Sequence, residues 1–121
     1  MTERKIVTAA SAKRAASMFN YGNLASVIIP ALIPFWFGAS MFIYAMNRHN
    51  PNHRVGYYTQ WAAYRFYGLI GLIIPVGTFF PAEIRYYLIT WAVLAAIIIP
   101  LEIIDLRKIA KEEWHDTEYE A

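Results

Sequence analysis

The chain contains no cysteine. Disulfides, Fe–S clusters, c-type haem attachment and thiolate metal sites are therefore excluded from its chemistry, while compartment is left open. A dominant sign of charge is also missing. The net charge is +2 and the basic residues are dispersed, which gives no electrostatic footprint for nucleic acid. No positive leader runs into a short apolar core with a small-residue cleavage site, so a removable signal peptide is not expected. The Ser, Ala, Lys and Arg of the first twenty residues share only the composition of a transit peptide. Nucleophile triads, glycine-rich phosphate loops and zinc signatures are absent. Residues 24–46 lack any charge at all.

What is present is apolar. Hydrophobic residues make up 58% of 121 residues and the mean hydropathy is +0.31, above a usual share of about 45–50%. A domain this small buries only about 60–70% of the surface it exposes unfolded, so lipid is the natural solvent for the excess. Aromatic residues at 17% suit the headgroup region, where Trp and Tyr concentrate. The composition predicts an all-α integral membrane protein with three transmembrane helices.

Residues 1–23 read as a basic arm carrying Arg4, Lys5, Lys13 and Arg14, either amphipathic on an anionic leaflet or mobile. Tyr21, Gly22 and Asn23 punctuate it, with Asn23 an acceptable N-cap. Residues 24–46 then form the first expected span, long enough for a hydrocarbon core of roughly 30 Å. Pro30 and Pro34 are expected to kink it, and Gly38, Ala39 and Ser40 offer a small-residue face. Residues 47–60 form a polar, aromatic loop. Residues 61–80 are the second span, thinned at Gly68 and Gly71 and bent at Pro75, with Arg65 near enough to its start to snorkel outward. Residues 81–85 make a tight turn, with Pro81 at a first helical position and Glu83 in the first turn. Residues 86–104 are the third span, antiparallel to the second, with Ala92 and Ala96 as a small-residue pair.

Residues 105–121 form a charged tail, helical at first and disordered at its acidic end. Counting Arg4, Lys5, Lys13, Arg14 and Arg85 on one side against Arg48, Arg54, Arg107, Lys108 and Lys111 on the other gives five each. The positive-inside rule hardly discriminates, and the flanks of the first span favour a cytoplasmic N-terminus in an inner or cytoplasmic-type membrane. A two-span arrangement, with the second block lying partly in the interface, is the alternative.

The stretch 47–67 concentrates the candidates for chemistry. Trp61, Tyr64 and Arg65 share a helix start, and with His53 and Arg54 they form the expected contact surface for a phospholipid or a partner subunit. Trp61 and Arg65, four apart, suit a cation–π pair. A guanidinium at headgroup depth suits a lipid phosphate, and a quinone contact is the lesser reading of the same corner. Haem b is not expected, because His49, His53 and His115 all fall outside the apolar blocks. His49 and His53 are also four apart and would suit copper or zinc, but Pro51 breaks the helix that would align them. Glu112 and His115 echo a di-iron ligand pair without the further buried carboxylates it needs. Glu102 and Asp105, at the exit of the third span, are expected to be hydrated or paired with basic residues of a neighbour.

With no charge expected at mid-membrane and no cofactor ligand set, the sequence points away from an enzyme. A carrier of the small multidrug type would need an acidic residue in the first span. The expectation is a non-catalytic accessory subunit of a larger membrane complex, in an electron-transport setting such as a respiratory, photosynthetic or membrane-oxidase assembly. Its partners would be other integral membrane subunits and phospholipid, with no cofactor held by this chain alone. A holin-like pore former or a free-standing regulator or assembly factor is the alternative.

Overall fold

The computed structural model describes residues 4–120. A short strand β1 (Arg4–Val7) leads into helix α1 (Ala9–Ile28). A 3-10 turn (Pro30–Leu32) follows, then α2 (Ile33–Asn47), α3 (His53–Ile70), α4 (Ile73–Phe79), α5 (Ile84–Lys111) and strand β2 (Thr117–Glu120).

Helix α1 is the centre of the bundle. The Thr8 hydroxyl accepts from Ser11 N at 3.2 Å, and the Asp116 carboxylate accepts from Ala9 N at 2.7 Å. Two free amides at the helix start are thereby satisfied, and a negative charge sits at the positive end of the dipole. Ala12, Ala16, Phe19, Asn20, Asn23, Ser26 and Val27 recur on one stripe and are buried, the spacing of a helix face turned inward. The small Ala12 and Ala16 let α3 and α5 approach through Val55, Tyr58 and Ile109. One turn further on, Phe19 packs on Ala62, Ala63 and Phe66.

The expected basic arm 1–23 is thus corrected: from Ala9 onward it is core helix, and Met1 to Glu3 lie outside the described residues. The expected span 24–46 is corrected too. The chain doubles back at Pro30, and α2 returns along α1. Trp36 Nε1 donates to Asn23 Oδ1 at 2.9 Å, and Asn47 Nδ2 contacts Met18 Sδ at 3.5 Å. Pro30 has no N–H to continue α1, and Ile29 before it is extended (φ −117°, ψ 88°), as a residue preceding proline prefers. Pro34 then occupies the first turn of α2, where its missing donor does no harm. The two prolines build a turn where a kink was expected. Gly22 is the point of closest approach, since a Cβ there would collide with the Trp36 indole.

Helix α3 begins at His53, inside the expected loop 47–60, with the Asn52 side chain capping Arg54 N at 3.0 Å. The expected bend before Pro75 is present. Pro75 cannot donate to the Gly71 carbonyl, which Ile74 N takes at 3.2 Å instead, separating α3 from α4. The turn expected at 81–85 falls at 80–83. Because α5 begins at Ile84, Pro81 lies ahead of the helix rather than at its first position, and Glu83 occupies the N-cap position and pairs with Arg85 at 2.6 Å. Helix α5 runs antiparallel to α1, with Trp91 Nε1 donating to Val27 O at 2.7 Å. It overruns the expected 86–104 at both ends and carries Pro100 internally.

The tail corrects a third expectation. β2 pairs antiparallel with β1, Arg4 opposite Glu120 and Ile6 opposite Glu118, so the described part of the acidic end is ordered; Ala121 lies outside the described residues. Opposite charges across the ribbon favour the pairing, with Arg4 and Glu118 at 2.9 Å. The two chain ends therefore share one end of the bundle, contrary to the opposite-side placement that three spans require.

Two helical stretches are long and apolar enough to cross a membrane: His53–Phe79, mean hydropathy 1.3 and interrupted at Gly71, and Ile84–Lys111, mean hydropathy 2.2.

Candidate site between the third and fifth helices

Arg65 lies on α3 facing α1 and α5, and its side chain is only 17% exposed. Its Nε donates to Glu102 Oε1 at 3.0 Å. Its Nη2 donates to Asp105 Oδ2 at 2.6 Å and to Asn20 Oδ1 at 3.1 Å. Glu102 and Asp105, three apart on α5, occupy one face and meet the same guanidinium. The Asn23 amide extends the network, donating to Glu102 Oε1 at 3.2 Å and to Ala62 O at 3.1 Å, while its oxygen accepts from Trp36. One polar cluster therefore ties α1, α2, α3 and α5 together. Asn20 Nδ2 and Glu102 Oε2 are buried without a hydrogen-bond partner, each a desolvation cost of about 1–3 kcal/mol.

This overturns three expectations. Arg65 does not snorkel outward; it turns into the bundle because two carboxylates and an asparagine wait there. Glu102 and Asp105 are paired within the chain rather than with a neighbour. Trp61 and Arg65 also do not form the expected cation–π pair: Trp61 meets Tyr64 edge-on at 6.0 Å between ring centres.

Above the cluster a cavity of about 600 Å³ opens between α3 and α5. Arg65 and Asp105 form its floor, Tyr57, Tyr58 and Trp61 its α3 wall, and Lys108 and Lys111 its α5 wall, with Arg54 and Glu112 at the mouth. Arg54 Nε lies 3.1 Å from both Glu112 oxygens and its Nη2 is 2.5 Å from Oε1, the fork geometry suited to a carboxylate. Its guanidinium also stacks over Tyr57 at 4.4 Å, and Tyr58 O–H donates to Glu112 Oε1 at 3.1 Å. The hydrogen bonds from Arg54 hold the Glu112 carboxyl below its usual range, against the opposing effect of burial, and the Tyr58 hydrogen bond adds to them.

Of the expected contact residues, Arg54, Trp61 and Arg65 share this cavity. His53 does not; it lines a neighbouring hollow with Trp114 and His115. Tyr64 is exposed, and its oxygen accepts from Gln60 Nε2 at 2.6 Å. His49 is exposed on the loop after α2, and among the described residues no three His, Asp or Glu side chains converge as a metal site. Glu112 and His115 do not form a helical ligand pair, because α5 ends at Lys111 and Glu112 is bound to Arg54. The sequence reading missed Asn20, Asn23, Lys108 and Lys111. Asn20 and Asn23 had a signal, two amides three apart on the face that carries Ala16 and Phe19.

No family model, no curated protein and no solved structure matches this chain.

Proposed function

We propose that the chain is an integral membrane protein and a non-catalytic accessory subunit of a larger membrane complex. The observation that carries this reading is the inverted distribution of polarity. Phe35, Phe42, Phe79 and Ile84 are 74–81% exposed, whereas Asn20, Asn23 and Glu102 are fully buried. An apolar exterior of this extent in water would be a large aggregation liability; against lipid and neighbouring helices it is stable. In the same setting, interior polar groups act as interhelical ties. One guanidinium ties two carboxylates across the helices at the centre, which suits a rigid scaffold. The exposed aromatic face of α2 offers a surface for other subunits.

Two measurements test the proposal. The chain should stay in the membrane fraction through alkaline carbonate extraction. After solubilisation in mild detergent it should migrate as a stoichiometric complex, with photo-crosslinkers at Phe35 and Phe42 reaching the same partner chains. A protein that runs alone and permeabilises liposomes would instead be a pore former, and the subunit reading would fail.

A further inference from the structure

We propose that the cavity between α3 and α5 binds a phosphate group, with Lys108 and Lys111 as its cations and Trp61 and Tyr57 as its rim. Charge is unevenly matched around the cavity. Arg54 is matched by Glu112, and Arg65 by Glu102 and Asp105. Lys108 and Lys111 are different. Both line the cavity, and among the described residues neither side chain makes an ion pair or a hydrogen bond. Three apart on α5, they project from one face, so four cations (Arg54, Arg65, Lys108 and Lys111) line the cavity against the carboxylates of Asp105 and Glu112, and a positive surplus remains even with Glu102 behind Arg65. A lysine in a last helical turn also favours the negative end of the helix dipole. That role requires no cavity and no aromatic wall.

The opposite wall supplies neutral donors. Trp61 Nε1 and the Tyr57 hydroxyl make no hydrogen bond among the described residues, and both side chains are about half exposed at the opening. Two ammonium groups with indole and phenol donors match the tetrahedral oxygens of a phosphate. The volume of about 600 Å³ exceeds that of a bare phosphate and lies within the range of small-molecule sites, about 300–1,000 Å³. Arg65, the guanidinium that the sequence pointed to for this task, forms the floor instead.

Depth indicates where such a phosphate would come from. No charged residue occurs between Arg65 and Glu83 or between Arg85 and Glu102, so the cavity opens where the apolar segments end. On the membrane reading above, on which this point rests, that is the headgroup layer. An anionic phospholipid and a free phosphate present the same chemistry, and the experiment separates them.

The full chain in mild detergent is titrated with phosphatidylglycerol, phosphatidylcholine or inorganic phosphate, and adducts are read by native mass spectrometry. Phosphatidylglycerol should be retained well above phosphatidylcholine. The exposed pair Lys108→Gln/Lys111→Gln should weaken retention by about 25-fold, about fivefold per lysine. Lys108→Arg/Lys111→Arg should restore it, and Arg107→Gln, beside the cavity but not lining it, should leave it unchanged. Displacement of the lipid by equimolar inorganic phosphate would make free phosphate the ligand. Equal retention of both lipids, or binding unaltered by loss of both lysines, would overturn the proposal. Carbonate extraction of the same variants separates the two readings. A chain that stays in the membrane but shows no lysine-dependent adduct sinks the phosphate site alone. A chain released from the membrane sinks the membrane reading, and the inorganic phosphate titration then decides the site by itself.

Discussion

Arg65 holds two carboxylates that have no other cation, so its removal is more damaging than the loss of three hydrogen bonds. Arg65→Ala would leave Glu102 and Asp105 facing each other in a largely dry site, at a cost of about 3–5 kcal/mol. The expected result is a large fall in the detergent melting temperature. Combining Arg65→Met with Glu102→Gln and Asp105→Asn should recover most of that loss, because no uncompensated charge then remains. Similar melting temperatures for the single and triple variants would show that the ion pairs contribute little. At the cavity mouth, Glu112 makes a pH-dependent contribution. Its folded-state carboxyl is held below the usual range, so the stabilisation is fully present above the unfolded value of about 4.3. It is lost as pH falls through the lower folded-state value. A melting curve followed from neutral to acid should lose stability in that window, and Glu112→Gln should remove this component. The exposed Arg4–Glu118 pair should matter little by comparison.

Among the elements, the hairpin of α1 and α2 depends on Gly22. Gly22→Ala forces the Trp36 indole off Asn23 and should cost about 1–3 kcal/mol, as overpacking does. Gly38→Ala, with nothing within 4 Å of its new methyl, should be neutral in the same thermal assay; equal effects would disprove the contact. This hairpin is also where sequence and structure part. Hydropathy and proline spacing read the same for a kinked span as for two helices joined by a turn, so 24–46 looked continuous. The later elements were legible, because the 81–85 turn and the apolar run 86–104 are local signals that α5 merely extends. Arg54, Trp61 and Arg65 were legible as one neighbourhood because they share α3. Their partners were not: Glu102, Asp105, Lys108 and Lys111 come from a helix some forty residues away in sequence, and Asn20 and Asn23 sat in what read as an arm. The pairing of β1 with β2 joins opposite ends of the chain, and no periodicity could announce it.

For the whole molecule, the consequence is topological. A ribbon of β1 and β2 fixes both described ends on one face of any membrane that the chain crosses, which requires an even number of spans. The stretches His53–Phe79 and Ile84–Lys111, both long and apolar enough to cross, would supply two. Trp91 sits level with Val27, so the start of α5 reaches about 10 Å beyond the end of α1, at 1.5 Å per residue. On the membrane reading proposed above, the turn at Pro30 would stop short of the far surface, and α1 with α2 would form a hairpin that enters from the side of the termini and returns to it. The absence of cysteine makes this testable with single introduced thiols. In sealed vesicles, Ile6→Cys and Glu118→Cys should react with an impermeant maleimide from the same face, and Ala82→Cys from the opposite face. Ala31→Cys in the proline turn should react from neither. Ile6→Cys combined with Glu118→Cys, directly opposite in the ribbon, should oxidise to a disulfide without loss of helicity, since paired strand positions approach within bridging distance. Labelling of positions 6 and 118 from opposite faces would restore a three-span chain and separate the strands on which this arrangement rests.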